Sequence, residues 1–136
     1  MADAIRGSLE AIKAAQNRIS MDKINLGAVC IALTFIQVVY GNYMTLFGSS
    51  SLLIIPHIIL AILILITSLI MIPPAKGAEK RIAVGNTILI ALEIGIGGYL
   101  YSVYNPALVL LHFIIGLGIL SNFMVLYFSS RNGRAV

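Results

Sequence analysis

Two histidines are the residues of this chain best suited to chemistry. His57 and His112 are the only histidines among 136 residues, and each lies near the start of a long apolar run. His57 comes five residues after Leu52, and His112 comes six residues after Pro106. If both runs are helices that start at the same membrane face, both imidazoles lie roughly 8 to 9 Å below that face, at a rise of about 1.5 Å per residue. Two imidazoles at one depth could bind opposite faces of a heme iron, for which histidine is a common ligand.

A polar residue and, four positions later, a glycine stand before each histidine, and a small residue follows four positions after it. These residues are Gln37, Gly41, His57 and Ala61 in the first half, and Glu93, Gly97, His112 and Gly116 in the second. Since a four-residue step stays on one helix face, the halves form a faint internal repeat, with chance similarity between apolar helices as the alternative. Small residues leave room for a flat cofactor beside the backbone, but they also serve close helix packing in membranes.

The polar residues also have structural interpretations. The histidines could bond to neighbouring helices, or serve another metal or a proton relay, instead of binding heme. Gln37 and Glu93, each near the middle of its apolar run, could hydrogen-bond to one another. Alternatively, Glu93 could lie on a proton path toward a cofactor or a quinone. A closed zinc site is not expected, because such sites use four donors.

The elements that must hold these residues are membrane helices. Hydrophobic residues make up 60% of the chain and charged residues 10%, with a mean hydropathy of +1.01, whereas soluble proteins average about 25% charged residues. Pro73 and Pro74 end the second apolar run, and Pro106 starts the fourth. The sequence therefore predicts an all-α, integral membrane, up-down-up-down four-helix bundle within residues 24–130. Its spans, each near the roughly 20 residues needed to cross a bilayer, are 26–46, 52–72, 82–103 and 106–128.

The basic residues predict the orientation. All nine lie on one side of the predicted spans, and the connections after the first and third spans carry no charge. The nine are Arg6, Lys13, Arg18, Lys23, Lys76, Lys80, Arg81, Arg131 and Arg134. The positive-inside rule places both termini in the cytoplasm, with the chain in a cell or inner membrane. The net charge of +4 can contact anionic lipids, and no basic stripe with interleaved aromatic residues indicates nucleic-acid binding.

The N-terminal 23 residues are predicted to form a separate amphipathic helix, and residues 131–136 a short cytoplasmic tail. Ile5, Leu9, Ile12 and Ile19 recur at three-, four- and seven-residue spacings, which places them on one helix face. Such a helix could lie in the membrane interface on the cytoplasmic side, or it could dock onto a partner subunit.

The layout resembles the four-helix half of the heme A synthase family. The matching stretches are "IQVVYG…PH" and "LEIGIGG…NP…LH", within residues 30–125. The resemblance implies that His57 and His112 are heme ligands toward the outer side, and that a single-half chain pairs as a homodimer. Leu53 or Ile54 stands where the family's substrate half carries a glutamate, so the resemblance extends to heme binding more than to oxidation of the heme methyl group.

The leading hypothesis is a membrane protein that binds heme b, or a related heme, through His57 and His112. Its function would be electron transfer or a heme A synthase-like reaction, with Glu93 on a proton path. The residues expected to line the cofactor are Gln37, Gly41, Ala61, Gly97 and Gly116. The alternative is a non-catalytic accessory subunit that packs against a larger respiratory or oxidase-type membrane complex. The expected partners are the lipid bilayer, other copies of the chain or other subunits, and a quinone.

Overall fold

The fold is all-helical and places the predicted spans in four long helices. The computed structural model describes residues 2–48 and 50–132. The helices are α1 (Ala2–Phe47), α2 (Ser51–Met71), α3 (Gly77–Ser102) and α4 (Pro106–Asn132). All four contain a segment long and apolar enough to cross a membrane, which in α1 is Asn25–Phe47. The prediction of four apolar helices is confirmed.

Local chemistry explains where the helices end. Gly48 follows α1 with a φ of +89°, a left-handed conformation that glycine adopts without steric cost at the end of a helix. Pro73 and Pro74 lie in the turn after α2, where they cannot continue the ladder of backbone hydrogen bonds. Asn105 caps α4, because its Oδ1 accepts hydrogen bonds from the amides of Ala107 (3.0 Å) and Leu108 (3.2 Å). The predicted start of the fourth helix at Pro106 is confirmed.

The predicted separate N-terminal helix is not a separate element. Residues 2 to 47 form one helix of 46 residues, so the segment before the first span and the span itself are continuous. The sequence between residues 20 and 26 contains no proline or glycine, and nothing there interrupts the backbone hydrogen bonds. The exposed Ile5, Leu9 and Ile12 therefore belong to the same helix as the first span.

The four helices form a ring in which each packs against two neighbours. The contacting pairs are α1 with α2, α2 with α3, α3 with α4, and α4 with α1; among the described residues the diagonal helices make no backbone contact. The connections between consecutive helices are short, so neighbours run antiparallel. The helices that carry the histidines, α2 and α4, are therefore diagonal and parallel to one another, as the sequence predicts.

Packing differs between the two ends of the bundle. We call the half that contains the α2–α3 connection (72–76) the core half, and the half that contains the other two connections the histidine half. The buried apolar residues are concentrated in the core half: Cys30, Ile64, Met71, Ala75, Ala83, Ile90, Ile119, Phe123 and Leu126. In the histidine half, no described residue within 38–63 or 94–118 is buried. The histidines therefore lie in the more loosely packed half.

Candidate functional site

His57 on α2 is held by Gln37 on α1. The side-chain amide nitrogen of Gln37 donates to the backbone carbonyl of His57 at 3.0 Å and lies 3.2 Å from His57 Nε2. Because an amide nitrogen can only donate, His57 Nε2 accepts this bond and the ring proton is on Nδ1. That Nδ1 and Gln37 Oε1 are both buried and have no hydrogen-bond partner in the described structure. The ring of Tyr40 stacks on the imidazole, with centroids 6.2 Å apart.

His112 on α4 is held by Glu93 on α3. A Glu93 carboxylate oxygen contacts Nδ1 of His112, and the Glu93 side chain is only about a tenth exposed. The contact orients the imidazole as an ion-pair contact, although neither Nδ1 nor Glu93 Oε2 has a hydrogen bond of regular geometry, and no hydrogen bond to Nε2 is found among the described residues. A histidine whose Nδ1 is held by a carboxylate is the usual arrangement for metal ligation through the other nitrogen.

A glycine lies against each imidazole. A methyl group added at Gly41 would lie 3.0 Å from Cε1 of His57, and one added at Gly97 would lie 3.3 Å from Cε1 of His112. Both distances are shorter than ordinary van der Waals contact, so a side chain at either position would push on the ring. The two helix pairs thus repeat one arrangement of a polar residue, a glycine one turn later, and a histidine on the next helix.

The prediction that Gln37 and Glu93 hydrogen-bond to one another is wrong. Each bonds to the histidine of the following helix instead, because the face of α1 that carries Gln37 turns toward α2 and the face of α3 that carries Glu93 turns toward α4. A methyl group added at Gly116 would lie 3.4 Å from the Val38 side chain and 3.7 Å from Glu93 Oε1. Ala61 is partly buried on α2, one turn beyond His57.

The two histidines lie on the diagonal helices α2 and α4. The described residues contain no group of three or more His, Cys, Asp or Glu side chains that could hold a metal ion. Any metal bound here would therefore take two protein ligands and the rest from a cofactor or water.

A second set of polar contacts lies in the core half and was missed by the sequence analysis. Ser68 and Thr87 hydroxyls are 2.6 Å apart, and Asn122 donates to Asn86 Oδ1 at 3.1 Å. Asn86, Ser68 and Thr34 are almost fully buried. The available signal was the presence of amide and hydroxyl residues inside apolar runs, which must find partners when water is absent.

Comparison with known proteins finds no matching family model, no similar curated protein and no similar solved structure. The fold and the site nevertheless define a class: an all-helical protein with four helices long and apolar enough to cross a membrane. Within this class, the distinguishing feature is a pair of histidines on diagonal helices, each bonded to a polar side chain of the preceding helix.

Proposed function

We propose that this chain is a membrane heme protein, in which His57 and His112 would hold the iron of a b-type heme. The observation that carries the proposal is the duplicated unit of polar residue, glycine and histidine on diagonal helices. The lower burial of side chains in the histidine half supports it further, because side chains around a cofactor site need not be buried against one another.

His112 fits the role of a ligand as it stands. Glu93 accepts the Nδ1 proton, which fixes the tautomer and makes the remaining Nε2 lone pair more basic. The glycine at position 97 allows the ring to lie close to α3. At this side of the proposed site, the buried Glu93 carboxylate therefore serves to orient the His112 ring.

His57 fits the role only if Gln37 moves. The Gln37 amide lies 3.2 Å from His57 Nε2, so it occupies the lone pair that a metal would need. Rotation of the Gln37 side chain would free that nitrogen at the loss of the two hydrogen bonds that the Gln37 amide nitrogen makes with His57, each worth about 0.5–1.5 kcal/mol. Gln37 therefore acts as a reversible cap on the His57 ligand position, rather than as a cofactor contact.

A bound heme would supply one-electron transfer, and its potential would depend on the ligands and their surroundings. We favour electron transfer over a heme A synthase-like oxidation, since Leu53 and Ile54 offer no acid near His57. Glu93 is the buried group that could take up or release a proton beside the site, and a quinone is a chemically suitable partner for coupled electron and proton transfer.

A second candidate function is an accessory subunit that packs against a larger membrane complex. The observation in its favour is that both histidines already have a hydrogen-bonding partner inside the bundle, as interhelical polar contacts in membranes require. Under this function the histidines stabilise the bundle and bind nothing.

Heme titration of the purified full chain separates these functions. We expect the Soret band of the bound heme to reach its maximum at one heme per pair of histidines. The band should be lost in His112→Ala and weakened or shifted in His57→Ala. Ser68→Ala is the matched control, because it removes a buried polar group from the core half and should leave the spectrum unchanged. Absence of binding, or equal binding by a His57→Ala/His112→Ala double variant, would remove the heme proposal and favour the accessory subunit.

We further propose that both termini face the cytoplasm, in a cell or inner membrane. The basic residues at 76–81 and at Arg131 lie at one end of the bundle, and the connections at the other end carry none, which agrees with the positive-inside rule. In intact cells an impermeant maleimide should label Ser50→Cys and not Lys76→Cys. The reverse labelling would invert the orientation, and the parent chain, whose one cysteine is buried, supplies the background.

A further inference from the structure

Helix α1 is much longer than its membrane-spanning part. At about 1.5 Å per residue, its 46 residues extend about 69 Å, while only residues 25–47 form the apolar span. We call residues 2–24 the N-terminal extension. Because the helix has no break between the extension and the span, an extension of about 35 Å leaves the bilayer along the direction of the span instead of turning onto the membrane surface.

The extension carries an apolar stripe that is exposed and packs against no other helix in the described part of the chain. Ile5, Leu9 and Ile12 are spaced four and three residues apart and are 53%, 53% and 61% exposed. This alternation of three and four is the pattern of a coiled coil. Three large apolar side chains in water would be unfavourable, at about 25 cal/mol per Å² of exposed apolar surface.

The stripe shares a heptad register with the surface that α1 already uses to pack, with the polar Gln16 and Lys23 at the two intervening a positions. Adding three heptads to Ile5, Leu9 and Ile12 gives Leu26, Cys30 and Leu33, which belong to the packed core or lie against it. A straight helix drifts by about 20° per heptad relative to this repeat, so the two stretches occupy neighbouring sectors of one face. The extension thus prolongs the helix-packing face of α1 beyond the bundle.

We propose that the N-terminal extension forms a parallel coiled coil with the extensions of other copies of this chain, more than two in number. Copies inserted in one membrane share an orientation, so their extensions run parallel and in register. In the heptad, Leu9 takes an a position and Ile5 and Ile12 take d positions, a combination that favours three or four strands over two.

Charge also favours a protein partner over lipid. The extension has four basic residues and three acidic ones, whereas helices that bind the membrane surface are rich in Lys and Arg on the polar face. The proposal is independent of heme binding, because it concerns residues remote from His57 and His112.

Cysteine cross-linking of the full chain in liposomes tests the proposal. With copper phenanthroline as oxidant, Ile12→Cys should give chain-to-chain disulfides, each formed from two thiols with the loss of two protons and two electrons to the oxidant. Ala14→Cys, two residues further on and about 200° around the helix, is the matched control and should cross-link at least fivefold less. Light scattering in detergent should give a mass of three or four chains for the parent, and of one chain for Leu9→Asp/Ile12→Asp.

Three results would overturn the proposal. One is a mass of one or two chains for the parent, and another is equal cross-linking at positions 12 and 14. The third is quenching of a fluorophore on Ile12→Cys by spin-labelled lipids, which would place the extension in the membrane interface. Unchanged helix content in Leu9→Asp/Ile12→Asp, measured by circular dichroism, would show that loss of assembly is not loss of folding.

Discussion

At the scale of single residues, the two histidines differ in what holds them. Glu93 accepts from Nδ1 of His112 and leaves Nε2 open, whereas the Gln37 amide lies on Nε2 of His57. Under the proposed heme binding, Glu93 would prepare His112 for ligation, whereas Gln37 would compete with the iron for His57 Nε2. The two helix pairs have the same backbone arrangement, but Nε2 is occupied in His57 and open in His112.

Removing each partner should change heme affinity in opposite directions. Gln37→Leu frees His57 Nε2, so we expect heme to bind several-fold more tightly. Glu93→Leu leaves the Nδ1 group of His112 buried without a partner, and we expect binding to weaken at least tenfold, with a loss of stability of about 1–3 kcal/mol. Heme titration followed at the Soret band measures the affinities, and detergent unfolding measures the stability.

Glu93→Gln is the matched variant for this comparison, since its amide oxygen can still accept the Nδ1 proton. It should retain most of the affinity. Weaker heme binding in Gln37→Leu than in the parent would contradict the capping role of Gln37.

The glycines beside the rings give a second test at this scale. Gly41→Ala would place a methyl group 3.0 Å from His57 Cε1, and we expect it to displace the ring and destabilise the protein by about 1–3 kcal/mol, as overpacking does. Gly98→Ala, which meets nothing within 4 Å, should be neutral or slightly stabilising, because alanine has the higher helix propensity. Thermal unfolding in detergent measures the stability of both variants. Equal stability of Gly41→Ala and Gly98→Ala would mean that the His57 ring has room to move.

At the scale of elements, the interface between α3 and α4 is joined by polar contacts at regular intervals. Glu79, Asn86 and Glu93 are spaced by seven residues on α3 and bond to α4 at three levels. Their partners are Ser129, Asn122 and His112. The interface between α1 and α4 instead contains glycine contacts, with Gly27 against Tyr127 at 3.4 Å. The two interfaces of α4 are therefore held by different kinds of contact.

The Asn86–Asn122 contact should show measurable coupling. In a double-mutant cycle with Asn86→Ala and Asn122→Ala, we expect a coupling free energy of about 0.6 kcal/mol, with an upper bound near 1.7 kcal/mol, as for other interhelical hydrogen bonds in membranes. Asn86→Ala alone should cost more than Asn122→Ala, because Asn86 is fully buried and also donates to the Ile119 carbonyl. Unfolding in mixed detergent micelles supplies the four free energies, and additive effects would mean that the contact contributes nothing.

At the scale of the whole molecule, the chain is two halves of unequal packing. The core half holds the buried apolar cluster and the Asn86–Asn122 contact. The histidine half has no buried residue within 38–63 or 94–118 of the described chain. Local opening should therefore be easier in the half that carries the proposed site.

Hydrogen exchange should report this asymmetry. In heme-free protein in detergent, we expect backbone amides of the histidine half to exchange at least tenfold faster than those of the core half. Added heme should slow exchange in the histidine half alone, and the His112→Ala variant should lack this response. Uniform exchange along all four helices would contradict the asymmetry.

Much of this architecture could be predicted from the sequence, for identifiable reasons. The apolar runs and Asn105–Pro106 gave the helices and the start of α4, because length and capping are local properties. The partners of Gln37 and Glu93 could not be predicted, since they depend on the rotation of each helix about its axis. Tyr40, which stacks on His57, was missed for the same reason. The continuity of α1 could have been predicted from the absence of glycine and proline between Gly7 and Gly27.

The seven-residue spacing on α3 makes this helix intolerant of small changes in length. One residue inserted between Asn86 and Glu93 would rotate one of them by about 100° about the helix axis. Either Asn122 or His112 would then face a hydrocarbon side chain. A full heptad inserted there would restore the direction in which Glu93 points. It would also move Glu93 about 10 Å along the helix axis relative to Asn86, beyond the reach of His112. Natural variation in the length of this helix should therefore be confined to the segments outside residues 79–93.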